Sequence, residues 1–193
     1  AVDALIKVDV PDSWRNLKDE EAPVKDYPDF IKNILIPMAR QEGDELPVSA
    51  FKGMEDGSFP SGTTAYEKRG IAPQIPQWQI EKCIQCNQCS YICPHSTIRP
   101  FLLNEEENNR KPETFETKKA VGKGLENLYY RIQVSPLDCT GCGNCADVCP
   151  AKGKALIMQP AEQEIENQAD NWEFAMTVTS KGHLVTNKYT VKE

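Results

Sequence analysis

The sequence predicts a small α+β fold in which one strand–loop–strand unit occurs twice. Three observations carry that expectation. The run "CIQCNQCSYICP" at 83–94 returns fifty-six residues later as "CTGCGNCADVCP" at 139–150, with the same spacing for all four cysteines. Each run follows a stretch of alternating apolar residues, Trp78 and Ile80 before the first and Tyr130, Ile132 and Val134 before the second, which is the period-two pattern of a half-buried strand. Each run also precedes a short apolar segment, "STIRPFLL" or "KALIMQP". A fixed offset with flanking symmetry marks an internal repeat. Residues 78–160 are therefore expected to form a pseudo-twofold module. Residues 1–77 would be an N-terminal extension, 99–128 an insertion between the repeats, and 161–193 a C-terminal helix and hairpin leading to a further domain.

In the extension, "YPDFIKNILIPMARQEG" has apolar residues at 27, 30, 31, 34, 35 and 38. This is an amphipathic helix pattern, with Pro28 near its start, Pro37 as a kink and Gly43 after its end. "DGSFPSGTTAYEKRG" carries Gly57 and Gly62 at phosphate-loop spacing, but Thr63 stands where the lysine is needed, so it reads as an ordered loop.

The eight cysteines all lie in the two runs, which fits a disulfide scaffold poorly, because neighbours at i and i+3 are poor partners. Structural zinc uses pairs of CxxC knuckles, and a third cysteine at +6 with a fourth at +10 matches no common zinc frame. CxxCxxCxxxCP is instead the run that bacterial two-cluster ferredoxins use for four-iron clusters, with the fourth cysteine of each run crossing to the other cluster. Three thiolates two residues apart wrap one face of a cubane, and a continuous loop cannot reach the remaining iron. The expected ligands are Cys83, Cys86, Cys89 and Cys149 for one [4Fe-4S] cluster, and Cys139, Cys142, Cys145 and Cys93 for the other. Pro94 and Pro150 stop the local turn from continuing as helix. The module expected is thus a bacterial two-cluster ferredoxin-like fold.

Gly141 and Gly143 let the second loop turn tightly, whereas Gln85 and Asn87 hold those places in the first, so the two sites need not match in potential. Little positive charge lies near either run in sequence, which favours low potentials. His95 and His183 are expected as surface or supporting residues, since eight thiolates already complete two sites. Tyr91, Ile92 and Val148 are expected to exclude water as core. The insertion "NEEENNRKPETFETKKAVGKGLENLYY" is charged and partly helical in pattern, a solvated element packed on the module or else a partner-binding one. Trp172, Phe174, Met176 and Val178 alternate with polar residues before "SKG" and "HLVTNKYTV", a hairpin pattern with an apolar face that neighbouring domains would cover.

A formal charge of -7, with no cluster of Lys and Arg, argues against a nucleic-acid partner. No apolar run reaches the length of a membrane crossing, and the amino terminus does not read as a secretory signal. A soluble, cytoplasmic chain is expected.

Taken together, "LPVSAF" at 46–51, "DGSFPSGTTAYEKRGIA" at 56–72, the Trp78 approach to Cys83 and the two cysteine runs resemble the ferredoxin-like segment of pyruvate:ferredoxin (flavodoxin) oxidoreductase over nearly the whole chain. The resemblance implies a thiamine-diphosphate enzyme that decarboxylates pyruvate and passes the acyl group to coenzyme A. Its electrons travel through three four-iron clusters to ferredoxin. This chain would hold two of them, as the medial and distal stations, with no catalytic residue of its own. Thiamine diphosphate, Mg2+, CoA and the third cluster are expected only in other parts of the parent, since no thiamine-binding "GDG" block occurs here. "DGS" at 56 does not qualify, and 1–193 reads as an excised segment. Implied partners are the other domains of a homodimeric parent and external ferredoxin or flavodoxin. The alternative is a free-standing two-cluster carrier, or the iron–sulfur subunit of another oxidoreductase; such a carrier would rarely need seventy-seven extra residues in front.

Overall fold

A computed structural model describes residues 4–17 and 26–185. The chain divides into two compact units, Ala1–Tyr66 and Glu67–Glu193.

The first unit is made of short helical turns. A helix starts after Pro28, widens into a π turn over Ile31–Leu35 and tightens into α1 (Ile36–Ala39). Pro37 has no N–H to give to the carbonyl four residues back, and the ladder widens there, with the Ile36 N–H donating to the Ile31 carbonyl. The expected kink at Pro37 is this change of helical register. Ile31 and Ile34 form the buried face. Further on, Tyr27 meets Tyr66 and Phe30 meets Phe59 edge to face, at 5.4 and 5.7 Å between ring centroids. Asp56 accepts from the Ser58 N–H at 2.9 Å and so closes the loop that carries Phe59.

The second unit is a small α+β assembly. Its elements in chain order are β1 (Gln74–Trp78), α2 (Gln88–Ile92), β2 (Ile98–Leu103), α3 (Glu105–Asn109), β3 (Lys118–Lys119), β4 (Tyr129–Val134), α4 (Asn144–Asp147), β5 (Leu156–Pro160) and α5 (Ala161–Ala175). The first strand pairs antiparallel with the last, Trp78 opposite Leu156. β2 pairs antiparallel with β4, Ile98 opposite Val134, and β3 adds to the far side of β4. The strands expected on either side of each cysteine run are thus present. Tyr130, Ile132 and Val134 are buried on one face of β4, with Ile75, Trp78, Ile98 and Leu156 in the same core.

Two boundaries differ from the sequence reading. The extension ends at Tyr66 and not at 77, because residues 67–77 belong to the second unit: Lys68 pairs with Asp138, the Gly70 N–H donates to the Leu137 carbonyl, and Ala72 is buried in the core. The stretch 99–103 is strand β2 and not the start of the insertion.

The expected strand through Trp172 to Val178 is a correction of kind. Trp172, Phe174 and Ala175 lie in the last turn of α5, Met176 caps it, and Gly182–Leu184 form a 3-10 turn. The rest of the expected hairpin, from 186, lies outside the described residues. Helix propagation from the good formers of "AEQEIE" prevails over a four-position alternation. The buried face of α5 has a helical period, but Ala161, Gln168, Asn171 and Ala175 occupy it, so hydropathy does not display it. Gln168 accepts from the Gln133 amide at 2.6 Å and donates to the Pro76 carbonyl at 3.3 Å. Trp172 turns to Phe101 and Phe174 to Phe115, each edge to face.

The insertion is fastened to the C-terminal segment by a buried ion pair. Glu107 caps α3 through a reciprocal box with Asn104, and its carboxylate also receives the Lys181 ammonium at 2.6 Å and the Thr179 N–H and hydroxyl. Burial alone would push the Glu107 carboxyl up; the donors from Lys181, Asn104 and Thr179 outweigh it and hold it down at about 2. With the folded value below the ordinary 4.5, the contribution is complete above that value and is lost as pH falls through 2; it amounts to about 3 kcal/mol. Glu107→Gln should destabilise the fold at pH 7 by about 3 kcal/mol and flatten the acid limb between pH 4.5 and 2, read by denaturant titrations across that range.

Candidate metal centres

The cysteine runs fold into two loops, each closing on a single helical turn, α2 or α4. In the second loop Gly141 and Gly143 have φ of 71° and 78°, and in the first Gln85 and Asn87 adopt 58° and 59°. The two loops thus share a left-handed backbone at corresponding places although only one has glycines. The side chains at 85 and 87 have structural work. Gln85, 2% exposed, donates to the Lys119 carbonyl at 2.8 Å and accepts from the Val121 N–H at 2.9 Å. The Asn87 carbonyl oxygen accepts from the Tyr130 hydroxyl at 2.5 Å. These bonds fix the first loop to the insertion and to β4, and offset the strain of left-handed non-glycine residues.

Two cavities lie beneath the loops. One is lined by Cys83, Cys86, Cys89 and Cys149, the other by Cys93, Cys139, Cys142 and Cys145. Three cysteines of each set come from one run and the fourth from the other run. Counting the space open at their mouths, they have similar volumes of about 330 and 360 Å3. Their walls come from the strands: Trp78, Tyr130, Ile132 and Leu156 around the first, and Pro76, Ile98 and Val134 around the second. Tyr91 and Ile92, expected as core, are instead 62% and 44% exposed, because only one side of the single-turn α2 faces the cavity. His95 sits exposed at the rim of the second cavity.

Backbone N–H groups point at the sulfurs. Thr97 N–H lies 3.4 Å from Cys93 Sγ, Gly141 N–H 3.4 Å from Cys139 Sγ, and Ala155 N–H 3.3 Å from Cys149 Sγ. Two ammonium groups approach the first set through backbone carbonyls, Lys154 from nearby in sequence and Lys118 from 35 residues beyond Cys83. Lys118 of the insertion donates to the carbonyls of Ile80 and Cys83, and Lys154 to those of Asp147 and Cys149.

Burial, followed by repulsion from neighbouring thiolates, pushes the Cys89 thiol up to about 12. Cys145 is likewise pushed up to about 12, burial first and then Cys139. At Cys93 burial also acts upward, but the Thr97 hydroxyl and N–H hold the thiol below its ordinary value. Four thiolates in one such space need a compensating positive core, and a cationic iron–sulfide cubane supplies it. Among the described residues no three His, Cys, Asp or Glu side chains close tightly enough to hold a lone metal ion. The donors stand around a cavity wall, as a polynuclear centre requires. The donor sets fit two [4Fe-4S] clusters.

These features define a two-cluster iron–sulfur module, and residues 82–153 match the family model of the 4Fe-4S dicluster domain. Residues 18–72 match a second model, EKR, described as a domain of unknown function. The chain is 56% identical over 191 residues to pyruvate-flavodoxin oxidoreductase of Enterobacter agglomerans, which takes in 99% of this chain and 16% of that protein. It is 56% identical over 176 residues to pyruvate:ferredoxin oxidoreductase of Moorella thermoacetica, covering 91% of this chain and 15% of that one. It is 44% identical over 186 residues to the mitochondrial pyruvate dehydrogenase [NADP(+)] of Euglena gracilis, covering 96% and 10%. Over nearly its whole length the chain is thus similar to a segment of pyruvate:ferredoxin (flavodoxin) oxidoreductases, and it spans about a sixth of the length of the first of these relatives. No helix among the described residues is long and apolar enough to cross a membrane.

The glycines of the second loop make a test of its packing. A Cβ on Gly141 would stand 2.9 Å from the Gln74 carbonyl oxygen in β1, whereas one on Gly143 would meet nothing within 4 Å. Gly143→Ala should cost only the left-handed strain, about 1 kcal/mol. Gly141→Ala should cost clearly more and lower the iron content, measured by denaturation and metal analysis.

Proposed function

We propose that this chain is an electron relay. Cys83, Cys86, Cys89 and Cys149 hold one [4Fe-4S] cluster and Cys139, Cys142, Cys145 and Cys93 the other. The observation that carries the reading is the exchange of the fourth cysteine, each cavity being lined by three thiols of one run and one of its twin. When bound, each cluster accepts and releases one electron. The protein's own part is to hold and shield: the loops orient three thiols, the crossing cysteine ties the halves together, and Trp78, Ile132 and Val134 exclude water. The N–H groups of Thr97, Gly141 and Ala155 stabilise negative charge on sulfur. No side chain has to move a proton.

The two halves read as a pseudo-twofold repeat. Shared left-handed loop residues support it, as does the exchange of wall positions fifty-six apart, Trp78 and Ile132 at one cavity against Val134 and Pro76 at the other.

The parent activity that goes with this relay is oxidative decarboxylation of pyruvate to acetyl-CoA and CO2. Thiamine diphosphate, Mg2+, CoA and a third [4Fe-4S] cluster lie elsewhere in a cytoplasmic homodimer, and external ferredoxin or flavodoxin takes the electrons. Matches extending over 99% of the chain, the first unit included, favour this over a free-standing carrier.

Anaerobically prepared chain should contain about eight iron and about eight acid-labile sulfide; zinc without sulfide would reject the relay. Cys93→Ala should lose the cluster of Cys139, Cys142 and Cys145 and keep about four iron. Loss of the cluster nearest in sequence instead would overturn the crossed ligand sets.

A further inference from the structure

We propose that the two cluster sites are unequally poised, the site of Cys83, Cys86, Cys89 and Cys149 being the one reduced first. This rests on the ligand sets proposed above. Two independent features separate that site from its twin.

The first is an indole N–H. Trp78 is 9% exposed and forms part of the wall of this cavity. Among the described residues its Nε1 is the one fully buried side-chain nitrogen or oxygen without a hydrogen-bond partner. A buried donor without an acceptor is a standing cost, and buried polar groups in folded proteins almost always find a partner. Sulfur at the wall of the cavity is the acceptor the site would supply. At the corresponding position of the other cavity stands Val134, which has no side-chain donor.

The second is charge. Lys118 Nζ lies 3.2 Å from the Cys83 carbonyl oxygen and Lys154 Nζ 3.0 Å from that of Cys149. Among the described residues no lysine or arginine donates to the carbonyl of a cysteine in the other set. Reduction adds one negative charge, which both a nearby ammonium and an N–H···S bond stabilise, raising the potential.

Opposing features are weaker. The Thr97 hydroxyl and N–H each lie 3.4 Å from Cys93 Sγ and the Gly141 N–H 3.4 Å from Cys139 Sγ, against the one Ala155 N–H at Cys149 Sγ, and Cys142 is exposed; all of these favour reduction of the second site. A hydroxyl and one surplus N–H dipole carry less field than two full charges. The nearby acids do not reverse the order: Asp138 is paired with Lys68, Glu81 and Lys82 precede Cys83 with opposite signs, and Asp147 is exposed between ligands of both sites. One electron delivered to the relay would therefore rest at the site braced by the insertion.

The test is an EPR-monitored dithionite titration of the cluster-loaded chain and of Trp78→Phe, Lys154→Met and Thr97→Val, with iron and sulfide counted in each. Trp78→Phe and Lys154→Met should each shift the higher couple downward and leave the lower one in place. Thr97→Val should shift the lower couple. Shifts of the lower couple by the first two variants, or no shift from either at full cluster content, would overturn the proposal. Lys154 is exposed, so its variant decides the matter even if Trp78→Phe assembles poorly. A wild-type chain without sulfide would sink the ligand sets instead, a distinguishable failure.

Discussion

Everything in the second unit answers to one constraint: each cavity takes three thiols from its own loop and one from the other. Neither loop can complete a donor set alone, so the chain has to bring residues 83–93 and 139–149 together around two buried spaces. The strand pairing does this. β1 joins β5 and β2 joins β4, so every pairing that frames the cavities spans the two halves. The thiols raise the stakes, since burial and mutual repulsion drive Cys89 and Cys145 far from the thiolate form until a positive core is present. Cluster binding and folding are consequently linked.

The insertion between the halves is fastened to one side of this arrangement. Gln85 binds its backbone at residues 119 and 121, and Lys118 reaches the Cys83 carbonyl. The first loop thereby keeps a conformation that the second obtains from glycine, and it acquires a cation on the way. Arg131 of β4 belongs to the same region. Its guanidinium lies over Phe115 of the insertion and near Trp78, donates to the Glu116 carbonyl, and is lowered to about 10 by burial. Polar side chains here tie the insertion to the core.

What the sequence made legible follows from periodicity and ligand chemistry. The cysteine spacing identified both loops, and alternation at 130, 132 and 134 located β4 because one face of that strand is apolar. What it hid was of three kinds. The buried stripe of α5 is Gln168 and Asn171, whose burial depends on hydrogen bonds that hydropathy cannot register, so the Trp172–Val178 alternation misread a helix end as a strand. Single-turn helices gave too short a pattern to tell which of Tyr91 and Ile92 faced inward, and neither does. Charge close to a cysteine in space need not be close in sequence: Lys118 of β3 reaches the Cys83 carbonyl from 35 residues away. The family resemblance rested on the block upstream of the cysteines, and the relatives extend through it.

The Glu107–Lys181 pair has a consequence for synthesis. Its partners are 74 residues apart, so on a ribosome adding about 5–20 residues per second the carboxylate is made some 4–15 s before its counter-ion. During that interval Asn104 can already hold Glu107 by the local cap, since both belong to one helical turn. Sealing the pair away from water must wait for that lysine, so docking of α3 follows synthesis of α5.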